Sequence, residues 1–239
     1  MGRAFEYRKA TKMKRWANMA RAFTKIGKEI SIAVKEGGPT PESNPRLRIA
    51  IQNAKTANMP KVNIENAIKK ASSKDAENYT ELVYEGYAPN GIAVLVECAT
   101  DNTNRTVANI RHIFSKFGGS LGTSGSVDFM FDRKGIFRIK NDGQDAEMLE
   151  LDLIDHGLDE LKIEDEEIVL YTAFQDYGTM QKALEDKGIE TVSTELARIP
   201  TVLKKLTDEE QVEEVIKMIE KMEDDDDVQN VYHTMDMSE

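Results

Sequence analysis

The spacing of apolar residues changes once, near residue 78, and that change most limits what this chain can fold into. Before it, apolar residues recur at helical spacing and no segment reads as a strand. On a helix over 15–35, advancing about 100° per residue, Trp16, Met19, Phe23, Ile26, Ile30 and Val34 share one broad face. Gly37-Gly38-Pro39 ends it, because glycine allows the left-handed turn and proline blocks continuation. A second helix starts at Asn44-Pro45, a cap followed by proline at the first helical position, and turns Leu47, Ala50, Ile51, Ala54 and Ala57 inward until Met59-Pro60 closes it. A third, over 61–71, presents Ile64, Ala67 and Ile68. These features predict a three-helix domain over residues 1–77, ending in the polar linker SSKDAENYT.

Beyond the linker the period is that of strands. ELVYEGYA and GIAVLVECA are joined by Pro89-Asn90-Gly91, a hairpin-grade turn. A helix over 103–117 follows, with Val107, Ile110, Ile113 and Phe114 as its apolar side, and VDFMFD is expected as a further strand. From Gly135 the order is strand (GIFRIK), helix (145–154), short strand near Leu161, strand (EEIVLYT), helix (175–186) and strand (ETVSTELARIP). This β-α-β-β-α-β order is that of a ferredoxin-like sandwich. A helix over 208–222 and a last strand, DVQNVYHTM, then supply what the earlier β-β-α-β unit lacks. The fold class expected is α+β. Residues 78–134 and 201–239 form a discontinuous second domain, into which a ferredoxin-like domain, 135–200, is inserted.

Charge divides the same way. Residues 1–77 carry 17 Lys or Arg against 7 Asp or Glu, a net +10, whereas 78–239 carry −21, within an overall −11. Such an asymmetry speaks of partners and orientation rather than of fold. From Arg8 to Ile30 there are eight cations and one acid, Glu29. Helical spacing puts Lys14, Arg21, Lys25 and Lys28 within about 60° of each other, opposite the apolar face. Arg15 lies in the same run, and Arg3, Arg8, Lys9 and Lys12 extend it ahead of the helix. A cationic stripe on a rigid surface binds phosphates by counterion release; five contacts give a slope of log affinity against log salt of about −4.5 for duplex and about −3.5 for single strands. The competing reading is a solvated helix face. Asn44, Arg46 and Arg48 open the second helix, where backbone N–H groups favour an anion; equally, Asn44 is a cap and the arginines pair with carboxylates.

Other motifs carry less. GGSLGTSGS, 118–126, lacks the Gly-Lys-Ser/Thr ending of a phosphate loop and runs from helix to strand, so a flexible connector or contact loop is expected. In DNTNR, 101–105, Asp101 or Asn102 caps the next helix. The acids 223–227 lack the spaced ligands and glycine of a calcium loop and read as a solvated turn. His112, His156 and His233 lie far apart, and the single Cys98 sits in an apolar run. No metal site, cofactor or small-molecule substrate is therefore expected, and no nucleophile, base and orienting acid can be assembled. No stretch approaches a membrane span, and the start lacks a secretory signal's apolar centre. A cytoplasmic, non-enzymatic protein is expected.

Several phrases together, KRWANMARAFTKIGKEI, NPRLRIAIQNAKTANMP, NIENAIKKA, YEGYAPNGIAVLVECATDNTNRTVANIRHIFSKFGGSLGTSGSVDFMF and DDVQNVYHTMD, resemble the YebC family, which has relatives among mitochondrial translational activators. They cover most of the chain. The resemblance implies a helical N-terminal domain, a second α+β domain and a third, ferredoxin-like domain inserted in the second. It also implies a regulator of gene expression, described in the family either as a DNA-binding transcriptional regulator or as a ribosome-associated translation factor. The start, MGRAFEYRKATKMKRW, departs from the Gly-His-Ser-Lys-Trp-type phrase of many members. The function expected is thus transcriptional regulation by DNA binding through the basic helical domain. The alternatives are a ribosome-associated factor on ribosomal or transfer RNA, and a protein-interaction adaptor.

Overall fold

The computed structural model describes residues 3–73, 76–164 and 166–237, with side chains described from residue 19 onward. Among the described residues the chain forms α1 (Arg3–Gly37), α2 (Pro45–Thr56), α3 (Lys61–Ala71), β1 (Thr80–Ala88), β2 (Ile92–Thr100), α4 (Thr103–Lys116) and β3 (Ser120–Leu121). There follow β4 (Phe131–Lys140), α5 (Ala146–Ile154), β5 (Leu158–Glu164), β6 (Glu167–Ala173), α6 (Tyr177–Asp186), β7 (Thr191–Pro200), α7 (Glu209–Glu223) and β8 (Val228–His233). The α+β class read from the sequence is the class observed.

The helical module packs α2 and α3 onto α1 around Ile30, Ala33, Val34, Leu47, Ala50, Ala54 and Ile64. Its helices differ greatly in length: 35 residues for α1 against 12 for α2 and 11 for α3. At 1.5 Å per residue, α1 spans about 52 Å and α2 about 18 Å. Among the described side chains, the bundle core takes its α1 residues from Ile26 onward. The sequence placed this helix start near residue 15; the helix instead begins at Arg3.

The first sheet has the order β3-β1-β2-β8, with all recorded pairings antiparallel. Central strand β2 is buried on both faces, which explains the apolar run over residues 92–96. Ile92, Val94, Val96 and Cys98 face a core shared with Ile110 and Phe114 of α4 and with Val215, Met218 and Met222 of α7. Ala93 and Leu95 face the other way, onto Val127 and Phe131. The second sheet, β5-β6-β4-β7, has the ferredoxin-like order, with α5 and α6 covering Phe137, Ile139, Ile168 and Leu170. Tyr232 of β8 belongs to the apolar contacts of both sheets and ties them together.

One expected strand does not form. Of VDFMFD, Asp128–Met130 is a 3-10 turn and Phe131 already begins β4, which pairs from Phe131↔Pro200 with β7. The residue 134/135 boundary therefore falls inside a strand of the second sheet. The physical cause is Glu85 of β1, whose carboxylate accepts N–H groups from Gly125, Val127 and Asp128 at 2.7, 2.7 and 2.8 Å and bends the segment into a turn.

Candidate nucleic-acid interface

On the apolar side of α1, Ile30 and Val34 are buried in the bundle, whereas Met19, expected on the same inward face, is exposed, and the Trp16 side chain falls outside the described residues. The opposite, cationic side was expected to face outward along its whole length. Its C-terminal part instead faces the turn between α7 and β8. Lys28 is only 8% exposed. Its ammonium donates to Asp227 Oδ1 at 2.7 Å and to the carbonyls of Asp226 and Ala99 at 2.8 and 3.0 Å. Lys25 donates to the Glu223 carbonyl at 3.2 Å, and Arg21 is ion-paired with Asp224. The outward placement of Arg21, Lys25 and Lys28 is thus corrected: the acidic run 223–227, read as a solvated turn, is the surface they meet.

Asp227 is the centre of this clamp. Besides Lys28, its carboxylate accepts from Thr106 Oγ1 at 2.9 Å, Thr100 Oγ1 at 3.1 Å and Arg105 Nη2 at 2.8 Å. Burial by itself would raise its pKa, but the hydrogen bonds from Lys28, Arg105 and Thr106 prevail and hold it at about 2. A buried carboxylate is tolerable only when paired and hydrogen-bonded in this way. Arg105 also binds Asp101 at 2.7 Å, and Asn102 caps α4 by accepting from the Arg105 N–H, the capping role expected for this motif. Around the clamp lies a cleft of about 600 Å³, lined by Lys28, Tyr79, Arg105, Lys221 and the acids 224–227.

The candidate anion site at the start of α2 is filled from within. Asn44 is 3% exposed; its side-chain oxygen accepts from Leu47 N–H, and its amide donates to the carbonyls of Ala33 and Gly38 at 2.7 and 2.8 Å. Arg46 bridges Glu36 and Glu81, and Arg48 donates to the carbonyls of Pro41 and Glu42, with Glu185 at 3.8 Å. Asn44 thus caps the helix and both arginines meet carboxylates, the alternative that the sequence offered beside a phosphate site.

The glycine loop is also corrected, from flexible connector to a pinned one. Glu85 fixes it through the three bonds above and through its own carbonyl, which accepts from Gly122 N–H at 2.7 Å. Glycine is required where the chain closes on itself: a Cβ on Gly119 would lie 2.5 Å from the Tyr87 carbonyl oxygen. Sequence reasoning missed Glu85 and Asp227, because nothing local separates a buried carboxylate from its exposed neighbours. The remaining candidates, Arg3, Arg8, Lys9, Lys12, Lys14 and Arg15, lie on α1, and their side chains fall outside the described residues.

Among the described residues no group of three or more His, Cys, Asp or Glu is arranged to hold a metal ion, and no helix is long and apolar enough to cross a membrane. Element order, sheet order and clamp together define a class: α+β proteins in which a basic helical module is locked to a sheet module that carries an inserted ferredoxin-like unit. Two family models match this chain, the TACO1/YebC N-terminal domain over residues 3–74 and the TACO1/YebC second and third domain over 79–235. The chain belongs to the TACO1/YebC family. It is 61% identical to a "probable transcriptional regulatory protein" of Porphyromonas gingivalis, over 98% of this chain and 97% of that one. A protein of the same description from Flavobacterium johnsoniae is 59% identical, over 98% and 99%. The crystal structure of a conserved hypothetical protein from Aquifex aeolicus superposes with a TM-score of 0.79 at 39% identity, covering 92% of this chain and 91% of that one.

Proposed function

We propose that this protein is a cytoplasmic, non-enzymatic regulator of gene expression that binds DNA through the N-terminal half of α1. The observation that carries the reading is the division of the cationic stripe. Arg21, Lys25 and Lys28 anchor α1 to the α7–β8 turn, while Arg3, Arg8, Lys9, Lys12, Lys14 and Arg15 lie in the N-terminal part of the same helix. Close relatives described as probable transcriptional regulatory proteins support the reading. A helix anchored in this way is a rigid carrier for phosphate-binding side chains, and phosphate contacts position a protein without reading bases. The acidic remainder resists lying on the same backbone and so orients the molecule.

A second reading replaces DNA by ribosomal or transfer RNA. It is favoured by the same reliance on phosphate contacts, since structured RNA is recognised by shape and phosphate. Replacing Arg8, Lys9, Lys12 and Lys14 by Gln should weaken binding to a labelled duplex and lower the salt slope by up to about 3.6 at 0.9 per contact. Fluorescence anisotropy at 50–200 mM salt measures this, with a structured RNA run in parallel to rank the two targets. Unchanged affinity and slope for both would overturn the proposal.

A further inference from the structure

We propose that the outer face of α5 is a docking site for a lysine- and arginine-rich amphipathic helix of a protein partner. This goes beyond the nucleic-acid reading and concerns the opposite pole of the charge distribution. Helix α5 buries Leu149 and Leu153 against the second sheet. Its solvent side nevertheless carries Met148, Leu151 and Ile154, at 61%, 67% and 52% exposure. Spaced three residues apart, they share one side of the helix. A solvated helix face of this kind is ordinarily polar; three large apolar side chains in a row mark a contact surface.

Charge says what covers it. Residues 142–167 hold twelve carboxylates and one lysine, a net −11, and the rest of the chain is balanced at 31 acids and 31 bases. The whole net charge of the protein therefore resides in the segment that carries α5, β5 and their flanks. Glu147, Glu150 and Asp155 are exposed beside the apolar row and have no cationic partner among the described residues, whereas Asp152 is paired with Lys187 at 2.8 Å. Such a field repels nucleic acid and attracts cations. An apolar row inside it fits a helix with apolar residues at three- and four-residue spacing and cations at its margins.

The test uses the full chain and a labelled, helical Leu/Lys peptide, with variants Leu151→Asp and Met148→Asp/Ile154→Asp. These substitutions remove apolar contact while adding negative charge, so the two possible causes of binding move in opposite directions. The expected result is affinity at least tenfold weaker in the variants, with an unchanged circular dichroism spectrum and an exposed-site control, Val62→Asp, that binds as the parent does. Equal or tighter binding by the variants would show an unspecific charge effect and overturn the proposal. So would absence of peptide binding by the parent chain. Sedimentation equilibrium adds the last arm: self-association of the parent that Leu151→Asp abolishes would make a second copy the occupant, and would also overturn it. None of these outcomes depends on the nucleic-acid affinity of α1.

Discussion

The ammonium of Lys28 lies 2.7 Å from Asp227 Oδ1, joining residues 199 apart in sequence across the boundary between the helical module and the first sheet. Both side chains are nearly inaccessible, at 9% and 6%. Their pairing makes this part of the cationic stripe structural.

Asp227→Ala leaves Lys28 buried without its carboxylate and also strips acceptors from Thr100, Thr106 and Arg105. Breaking such a pair costs about 3–5 kcal/mol. Lys28→Met removes a partner whose loss Arg105 offsets at Asp227, so the smaller effect is expected there. Chemical denaturation of the two single variants and the double variant checks the order, and the double variant should lose less than the sum.

Acid should loosen the same clamp. The folded-state pKa of Asp227 is held at about 2, below the unfolded value of about 3.9. Its contribution is complete above the unfolded value and is lost as pH falls through the folded one. Thermal melts between pH 5 and pH 2 should show a steeper fall for the parent chain than for Asp227→Asn. Parallel curves would contradict the assignment.

Glu85→Ala deprives the N–H groups of Gly125, Val127 and Asp128 of their acceptor. The Val127 amide sits at a buried residue, and leaving such groups unmade costs about 1–3 kcal/mol each. Hydrogen exchange at these three amides should accelerate by an order of magnitude or more. Glu85→Gln, which keeps one acceptor oxygen, should protect Val127 and Asp128 better than Gly125, because those two share Oε2.

Two glycines should respond oppositely to alanine. A Cβ on Gly135 would lie 2.5 Å from Tyr177 Cδ2 and 2.9 Å from Thr172 Cγ2, against the Phe137–Tyr177 stack. Overpacking there should destabilise by about 1–3 kcal/mol. Gly27, within α1, has nothing within 4 Å of such an atom, and Gly27→Ala should stabilise by about 0.5–1 kcal/mol through helix propensity. Melting temperatures moving the same way in both would show that the local packing is misread.

Periodicity, capping and charge, all local properties, were enough to place most elements. Asn44-Pro45 marked the start of α2, Pro89-Asn90-Gly91 marked the turn between β1 and β2, and the order after Gly135 spelled the ferredoxin-like unit. The excess of cations ahead of residue 77 was equally legible. The direction those cations face was not, because it depends on what packs against the helix. The stretches 21–28 and 223–227 look like two solvated charge runs until the fold brings them together. Burial then turns Lys28 and Asp227 into a clamp, since a charge removed from water is held only by an opposite charge and hydrogen bonds. Glu85 is the same lesson within one sheet module: its identity was always visible, but its three N–H partners lie some forty residues away, and only tertiary structure brings them to it.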